Sequence, residues 1–240
     1  MKILKFNCID STNTYGKTNF DTLDDGTAII ADEQTCGRGR FNRVWVSKNC
    51  GNIYLSLVLK PQNHAHIANF TQYMSVAAAK VLGTYGVQPQ IKWPNDVLIN
   101  NKKICGILSE GVLKNNKPAG LVLGIGVNLN CDAQTIASID KPATSLNLET
   151  GKNINKEEFL QKLLDTFFEN YENAVQYGFE GFREEYLKYT DFLGKTVYIQ
   201  QRDNAQKEQY VAKNIDTQGN LIVTDSQNKE KIIYSGDLIY

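Results

Sequence analysis

The segment Lys92-Trp93-Pro94-Asn95-Asp96-Val97-Leu98-Ile99-Asn100-Asn101-Lys102-Lys103-Ile104-Cys105-Gly106 reads as one short β-hairpin, with a polar corner at its start and a lysine on its return. Val97 to Ile99 has strand character, and Asn100-Asn101 supplies the turn. Lys103 therefore comes back toward the side that Asn95 and Asp96 left, so carboxylate, amide and ammonium can face one cavity. Pro94 fixes its own φ and biases Trp93 toward extended geometry, which stiffens the corner before any ligand arrives. Asn, Asp and Lys are equally the ordinary residues of a solvated turn, and this segment alone does not separate the two readings.

Working outward, the hairpin belongs to a sheet-forming meander. Ile91 to Trp93, Val97 to Ile99, Ile104 to Ser109 and Leu121 to Val127 read as its strands, with a further turn at Lys114-Asn115-Asn116-Lys117. Upstream, Lys2 to Cys8 and Thr27 to Ala31 are strand-like. Ile53, Leu55, Leu57 and Leu59 alternate as in a half-buried strand entered through Gly51. Helical spacing replaces that alternation at Ile67, Phe70, Met74, Ala77, Ala78, Val81 and Leu82, ended by Gly83 and Gly86. Lys156 to Tyr177 predicts one long core-facing helix, and Phe182 to Tyr189 a second. After Gly194 the pattern shortens to four or five brief strands with polar turns. The expectation is an α/β (α+β) body with a mixed central sheet and packed helices over residues 1–190, then a small β-barrel over 191–240.

Composition narrows the chemistry. The 240 residues carry 26 basic and 26 acidic side chains, so a strongly electrostatic, sequence-independent grip on nucleic acid is disfavoured. Neither a signal-like N-terminus nor a stretch of membrane-spanning length is present, and the chain reads as cytoplasmic. The five cysteines, Cys8, Cys36, Cys50, Cys105 and Cys131, form no C-x-x-C pair and are read as reduced and mostly buried. The two histidines, His64 and His66, lie in a loop without nearby acidic or thiol residues. Ser-His-Asp or Cys-His hydrolysis would have to recruit one of them, which argues against a hydrolase.

A second chemical stretch, Asp32-Glu33-Gln34-Thr35-Cys36-Gly37-Arg38-Gly39-Arg40-Phe41-Asn42-Arg43-Val44-Trp45, is glycine-rich, basic and aromatic together. Gly37 and Gly39 let backbone amides approach an anion, and Arg38, Arg40 and Arg43 bring forked donors suited to phosphate or carboxylate. The spacing matches no Walker A loop, and Asn42 stands at the third glycine of a dinucleotide fingerprint. Gly124-Ile125-Gly126-Val127-Asn128 begins like that fingerprint and also lacks its third glycine.

Taken in order, Ser11-Thr12-Asn13, Gly37-Arg38-Gly39-Arg40 with Trp45, Lys92-Trp93-Pro94-Asn95-Asp96 with Lys103 and Gly106, and Gly124-Ile125-Gly126-Val127-Asn128 resemble the signatures of biotin protein ligases. The motifs cover roughly residues 5 to 150. The related lipoate and octanoate ligases and transferases share the catalytic fold, and the arginine loop and Trp-Pro-Asn-Asp corner look like the biotin branch. The resemblance implies the mixed sheet of class II synthetase-like ligases with a small SH3-like barrel behind it. It also implies a two-step reaction: biotin is activated with MgATP to biotinyl-AMP, then transferred to a lysine of a biotin carboxyl carrier domain, as in acetyl-CoA carboxylase. A carboxylate nucleophile is already ionised at neutral pH, so scarcity of histidine is no handicap.

The roles it implies are specific. Ser11, Thr12, Asn13 and Gln34 would bind biotin, with Gly37, the Arg38 main chain and Gly106 shaping that pocket. Arg40 and Lys103 would hold the carboxylate and α-phosphate. Arg38, Arg43, Trp45, Asn95 and Asn128 would serve ATP, the last with Arg43 and Trp45 at the adenosine. Asp96 would order metal or phosphate, or orient or deprotonate the acceptor lysine; Mg2+ would otherwise be held by the ATP phosphates. Read without the resemblance, Ser11 and Thr12 are equally caps, Trp45 equally core and Asn128 equally a turn residue. Phe41-Asn42 departs from the arginine and glycine that many members carry, which puts ATP contacts there in doubt. Because Ser11-Thr12-Asn13 arrives almost at once, the expectation is a monofunctional ligase that binds no DNA and no membrane. A homodimer paired through the sheets is left open.

Overall fold

The computed structural model describes residues 1–201 and 206–239. In chain order its elements are β1 (Ile3–Ile9), α1 (Thr12–Thr18), β2 (Thr27–Gln34), β3 (Ile53–Leu59), α2 (Phe70–Gly83), β4 (Pro89–Lys92), β5 (Asp96–Ile99), β6 (Lys102–Lys114) and β7 (Lys117–Val127). Then come α3 (Ala133–Ala137), α4 (Leu146–Thr150), α5 (Lys156–Glu169), α6 (Tyr171–Tyr177), α7 (Arg183–Lys188) and the strands β8 (Thr196–Gln200), β9 (Glu208–Ile215), β10 (Leu221–Thr224), β11 (Glu230–Ile233) and β12 (Asp237–Ile239).

Seven strands form one mixed sheet in the order β1-β2-β3-β7-β6-β5-β4. Only β1 and β2 run parallel, joined across α1; the other neighbours are antiparallel. Successive residues point to opposite faces, as the strand repeat requires. Ala28, Ile30, Leu55, Leu57 and Leu123 join the large core that includes α2 and α5, whereas Ile29, Val58 and Val122 pack with Phe20 and Leu23 on the other face. Both faces of β3 are covered, and all seven of its residues are buried rather than alternate ones. The expected half-buried strand is therefore a central one, because α1 and the segment after it cover the second face.

The meander is as expected. Asn100-Asn101 and Asn115-Asn116 take left-handed φ values of 51° and 61° in both turns, the geometry of tight hairpins. The hairpin of β5 and β6 carries a register shift between Val97 and Leu98. The predicted long helix breaks in two at Asn170, whose φ of −123° and ψ of 26° are non-helical. Asparagine competes for its own backbone and is a weak helix former, so the apolar stripe turns a corner there while Phe167 and Tyr171 both stay in the core. The short helices α3 and α4 were not expected, since neither is long enough to show a period.

The last five strands make an antiparallel sheet in the order β11-β10-β9-β8-β12. Its inner residues Val197, Ile199, Ala212, Leu221 and Val223 are continuous with the main core. The turn before β10 reaches the corner of the β4–β5 hairpin. The indole N–H of Trp93 donates to Gly219 O at 3.0 Å, and Gln72 Nε2 donates to the same carbonyl at 2.8 Å. The Trp93–Pro94 bond is cis. Among the described residues no helix is long and apolar enough to cross a membrane.

Candidate active site

Three glycines open a hollow on the α1 side of the sheet. Gly106 pairs with Gly126 across β6 and β7, and Gly124 lies two residues further along the same face. A Cβ at Gly106 would come within 2.8 Å of Trp45 Cζ3 and 2.9 Å of Lys103 Cε. One at Gly126 would collide with the Trp45 indole, and one at Gly124 with the Asn13 amide. The Gly-x-Gly of β7 thus serves close approach of two side chains, not a phosphate loop. Above this floor lies a cavity of about 750 Å3.

One end of the cavity is polar and uncharged. Ser11 caps α1, its hydroxyl accepting from Thr14 N at 3.4 Å. Thr12 donates through its backbone N–H and its hydroxyl to Gln34 Oε1, at 2.9 and 3.1 Å. The other half of that amide donates to Ser47 Oγ at 3.0 Å, so Gln34 is held at both ends. Ser56 of β3 donates to Thr12 Oγ1 at 2.7 Å or to Asn13 Oδ1 at 2.5 Å. Asn13 Nδ2 in turn reaches Leu108 O and Glu110 Oε2, at 3.2 and 3.0 Å. Asn13 therefore lines the cavity while its amide is engaged by the sheet, which makes it a post of the pocket.

The opposite end is cationic. Lys103 Nζ lies 2.6 Å from Asp96 Oδ1, as the hairpin reading requires. It also sits 5.3 Å from the centre of the Trp45 ring, within cation–π range. Asn95 accepts from Arg40 at 3.0 Å and donates to Ile107 O at 2.9 Å. Lys92 lines the same end; burial holds its pKa below the ordinary lysine range, with Asp96 opposing and Lys103 reinforcing the shift. Arg40 is likewise lowered by burial, against the attraction of Asp237 and Asp96. Trp45 Nε1 is buried and has no hydrogen-bond partner among the described residues. An unmatched donor beside a cationic end marks a place for an acceptor-rich ligand.

The arginine loop is tied to the C-terminal sheet. Arg40 donates to Gly236 O at 3.1 Å and lies 3.5 Å from Asp237, and Arg43 pairs with the same carboxylate. Phe41 and Asn42 take left-handed φ values of 56° and 58°. That geometry is ordinary for asparagine and strained for phenylalanine. The Phe41 ring is 38% exposed and lies against the guanidinium groups of Arg40 and Arg43, 4.9 and 5.4 Å from its centroid. The departure at Phe41 thus supplies an aromatic face to both cations.

Ser11, Thr12, Asn13, Gln34, Arg38, Arg40, Arg43, Trp45, Asn95, Asp96, Lys103 and Gly106 all line this one cavity. Two expected residues do not. Gly37 shapes the loop from beneath, where a Cβ would strike the Trp45 carbonyl and the Ser47 hydroxyl. Asn128 is 3% exposed, donates to Thr144 O at 3.0 Å and is not part of the cavity lining. Lys92, Ser47, Ser56, Glu110 and Asp237 were missed. Lys92 stands inside the Lys-Trp-Pro-Asn-Asp motif and had a visible signal; the other four are lone polar residues with none.

Comparison with known proteins places these features. The model of the biotin/lipoate A/B protein ligase family matches residues 5–128. A biotin–[acetyl-CoA-carboxylase] ligase of Paracoccus denitrificans is 33% identical over 231 residues, covering 93% of this chain and 94% of that one. A bifunctional ligase/repressor of Bacillus spizizenii is 32% identical over 219 residues, 89% of this chain, and the match spans 66% of that relative's length. Among solved structures, the biotin protein ligase of Aquifex aeolicus in complex with biotin and ATP superposes with a TM-score of 0.83 at 27% identity, covering 99% of this chain and 97% of that one.

Proposed function

The chain belongs to the biotin/lipoate A/B protein ligase family, and on that premise we propose that it is a biotin protein ligase. It activates biotin with ATP to biotinyl-AMP and transfers the biotin to a lysine of a biotin carboxyl carrier domain. The observation that carries this reading is the polarity of the cavity: a neutral hydrogen-bonding end at Thr12 and Gln34, and a cationic end at Lys92, Lys103, Arg40 and Arg43.

That polarity fits the substrate. A ureido ring needs neutral donors and acceptors, which Ser11, Thr12 and Gln34 present. Its valerate chain runs over the glycine floor beside Trp45. The carboxylate and the α-phosphate are both anionic and must meet in line, so the cost to be removed is charge repulsion and misalignment. Lys103 bridges the two at the junction, Arg40 holds the phosphoryl oxygens, and Arg43 with Trp45 receives the nucleoside side. The carboxylate oxygen bonds to phosphorus as the bond to pyrophosphate breaks. In the second step the acceptor amine attacks the mixed anhydride and AMP leaves; Asp96, beside Lys103, orients that amine.

Among the described residues no group of three His, Cys, Asp or Glu side chains could hold a metal ion. The carboxylates at hand, Asp96 and Asp237, are each ion-paired. Mg2+ would be held by the phosphates of ATP, with Asp96 the carboxylate placed to help order it, and would neutralise charge on the leaving pyrophosphate. The biotin assignment rests on relatives named biotin ligases. Labelling an isolated biotin carboxyl carrier domain with ATP and either biotin or lipoate tests it. Biotin labelling, abolished in Lys103→Ala, is expected; labelling with lipoate alone would overturn it.

A further inference from the structure

Two thiols that the ligase reading does not use lie side by side beyond the ends of two central strands of the main sheet. Cys50 Sγ and Cys131 Sγ are 2.8 Å apart. Cys50 lies in the loop entering β3 and Cys131 in the loop leaving β7, strands already paired at Ile53 and Val127. Both loops are clamped. Asn52 Oδ1 accepts from Leu129 N and Asn130 N at 2.8 and 3.2 Å, and Asn130 Nδ2 donates to Gly51 O at 3.2 Å. Asn52 Nδ2 donates to Cys131 Sγ at 2.9 Å, and the Tyr54 hydroxyl donates to Lys48 O at 2.9 Å. Cys50 is half-buried and Cys131 is 4% exposed.

We propose that Cys50 and Cys131 form a thiol–disulfide couple, a modification site at which a small-molecule disulfide of the glutathione class is exchanged into an intramolecular bond. A disulfide bond is about 2.05 Å long, so the sulfurs need less than an ångström of approach from their 2.8 Å separation. The surroundings divide the labour. The contact with the Cys50 sulfur, helped by the Asn52 amide and against the effect of burial, holds the Cys131 thiol below the ordinary cysteine range. Cys50, the more exposed sulfur, keeps the proton.

In the first step the Cys131 thiolate takes the Cys50 proton while Cys50 sulfur attacks the disulfide RS–SR. A Cys50–S–S–R bond forms and RS⁻ leaves. Cys131 returns that proton to solvent or to RS⁻, and its sulfur attacks Cys50 sulfur, expelling the second RS⁻. Two protein thiols are oxidised to one disulfide, and RS–SR is reduced to two RSH. The new bond fixes the C-terminal leg of the arginine loop, just beyond Ser47, to the end of β7.

The full chain incubated in a glutathione disulfide and glutathione buffer, alkylated under denaturing conditions and digested without reductant, gives the readout by peptide mass spectrometry. A Cys50–Cys131 linked peptide is expected, with the exposed Cys8 and Cys36 carrying glutathione. Cys131→Ser should accumulate a lasting glutathione adduct on Cys50. The proposal fails if the unsubstituted chain keeps both Cys50 and Cys131 alkylatable while Cys8 and Cys36 are fully modified. It fails equally if Cys50 holds a persistent glutathione adduct with Cys131 free beside it.

Discussion

Arg43 and Asp237, 194 positions apart in the chain, form an ion pair at the cationic end of the cavity. Asp237 also faces Arg40, whose guanidinium is shared with Asn95 and the Gly236 carbonyl. The last strand of the chain therefore sets the direction of two cations that the proposed chemistry needs. Removing Asp237 has two opposed effects: it deletes a negative charge that ATP would meet, and it takes one anchor from each of two long side chains. The carboxylate is only 20% exposed but already neutralised by its partners, whereas each arginine that loses this anchor regains part of a rotamer entropy of about 0.5–1.5 kcal/mol. Orientation should win. Asp237→Ala is expected to raise KM for ATP about 10-fold, or about 1.4 kcal/mol, with KM for biotin unchanged. Steady-state kinetics with each substrate varied in turn checks both halves.

The same tether bears on the arginine loop itself. Few of its side chains are buried, and its glycines and the strained Phe41 contribute little packing. Limited proteolysis between residues 37 and 44 should be faster in Asp237→Ala than in the unsubstituted chain, and slower in both with biotin plus ATP. Equal cleavage with and without ligands would show that the loop does not order over the adenylate.

Gly106 and Trp45 give a steric prediction. An added methyl at Gly106 meets Trp45 at 2.8 Å and the Lys103 side chain at 2.9 and 3.0 Å. The strand backbone cannot retreat, so the indole and the lysine must move. Gly106→Ala should cost about 1–3 kcal/mol of stability through overpacking, and lower kcat for adenylate formation about 100-fold by displacing Lys103 by about an ångström. Thermal melting and pyrophosphate release separate the two effects.

Ser47 acts through Gln34. The hydroxyl accepts from the Gln34 amide and donates to Trp45 O at 2.9 Å, which fixes the amide's orientation toward Thr12. Ser47→Ala removes two neutral hydrogen bonds, each of about 0.5–1.5 kcal/mol. KM for biotin should rise about 3- to 10-fold while KM for ATP stays put, a split that loss of folding alone would not produce.

What could be read from the residues was what is local. Pro94, the Asn-Asn turn and Lys103 lie within one hairpin, so spacing alone brought Asp96 and Lys103 to one side. The Gly-Arg-Gly-Arg loop displayed its forked donors by residue type. Asp237 and Ser47 act across the fold and have no neighbours in sequence that mark them. Asn128 lies outside the cavity lining, its amide turned inward to Thr144 O, which its motif alone does not show. Asn170 escaped because the apolar stripe on either side continues in phase, and only its backbone shows the break. Of the five cysteines read as mostly buried, Cys105 and Cys131 are buried and Cys50 is intermediate, whereas Cys8 and Cys36 are exposed, Cys36 in the turn after β2.

Glu110 of β6 is the hub that joins the neutral end of the site to the arginine loop. Its carboxylate accepts from Lys17 at 2.9 Å, Asn13 at 3.0 Å and Arg38 at 3.2 Å. Partial burial alone would raise its pKa, yet hydrogen bonds from Lys17 and Asn13, with the charge of Arg38, hold it below the ordinary value of 4.5. A depressed carboxylate contributes stability that is present above the unfolded-state value and is lost as pH falls through the lower, folded-state value. Glu110→Gln keeps the shape, removes the charge and leaves Lys17 and Arg38 without their counter-ion. It should cost about 1–3 kcal/mol at neutral pH, raise KM for biotin through a loosened Asn13, and flatten the fall of stability with pH below about 4.5 that the unsubstituted chain shows. Denaturant melts at pH 7 and pH 4 on both proteins decide it. A variant with the same loss at both pH values would mean that Glu110 acts by packing and not by charge.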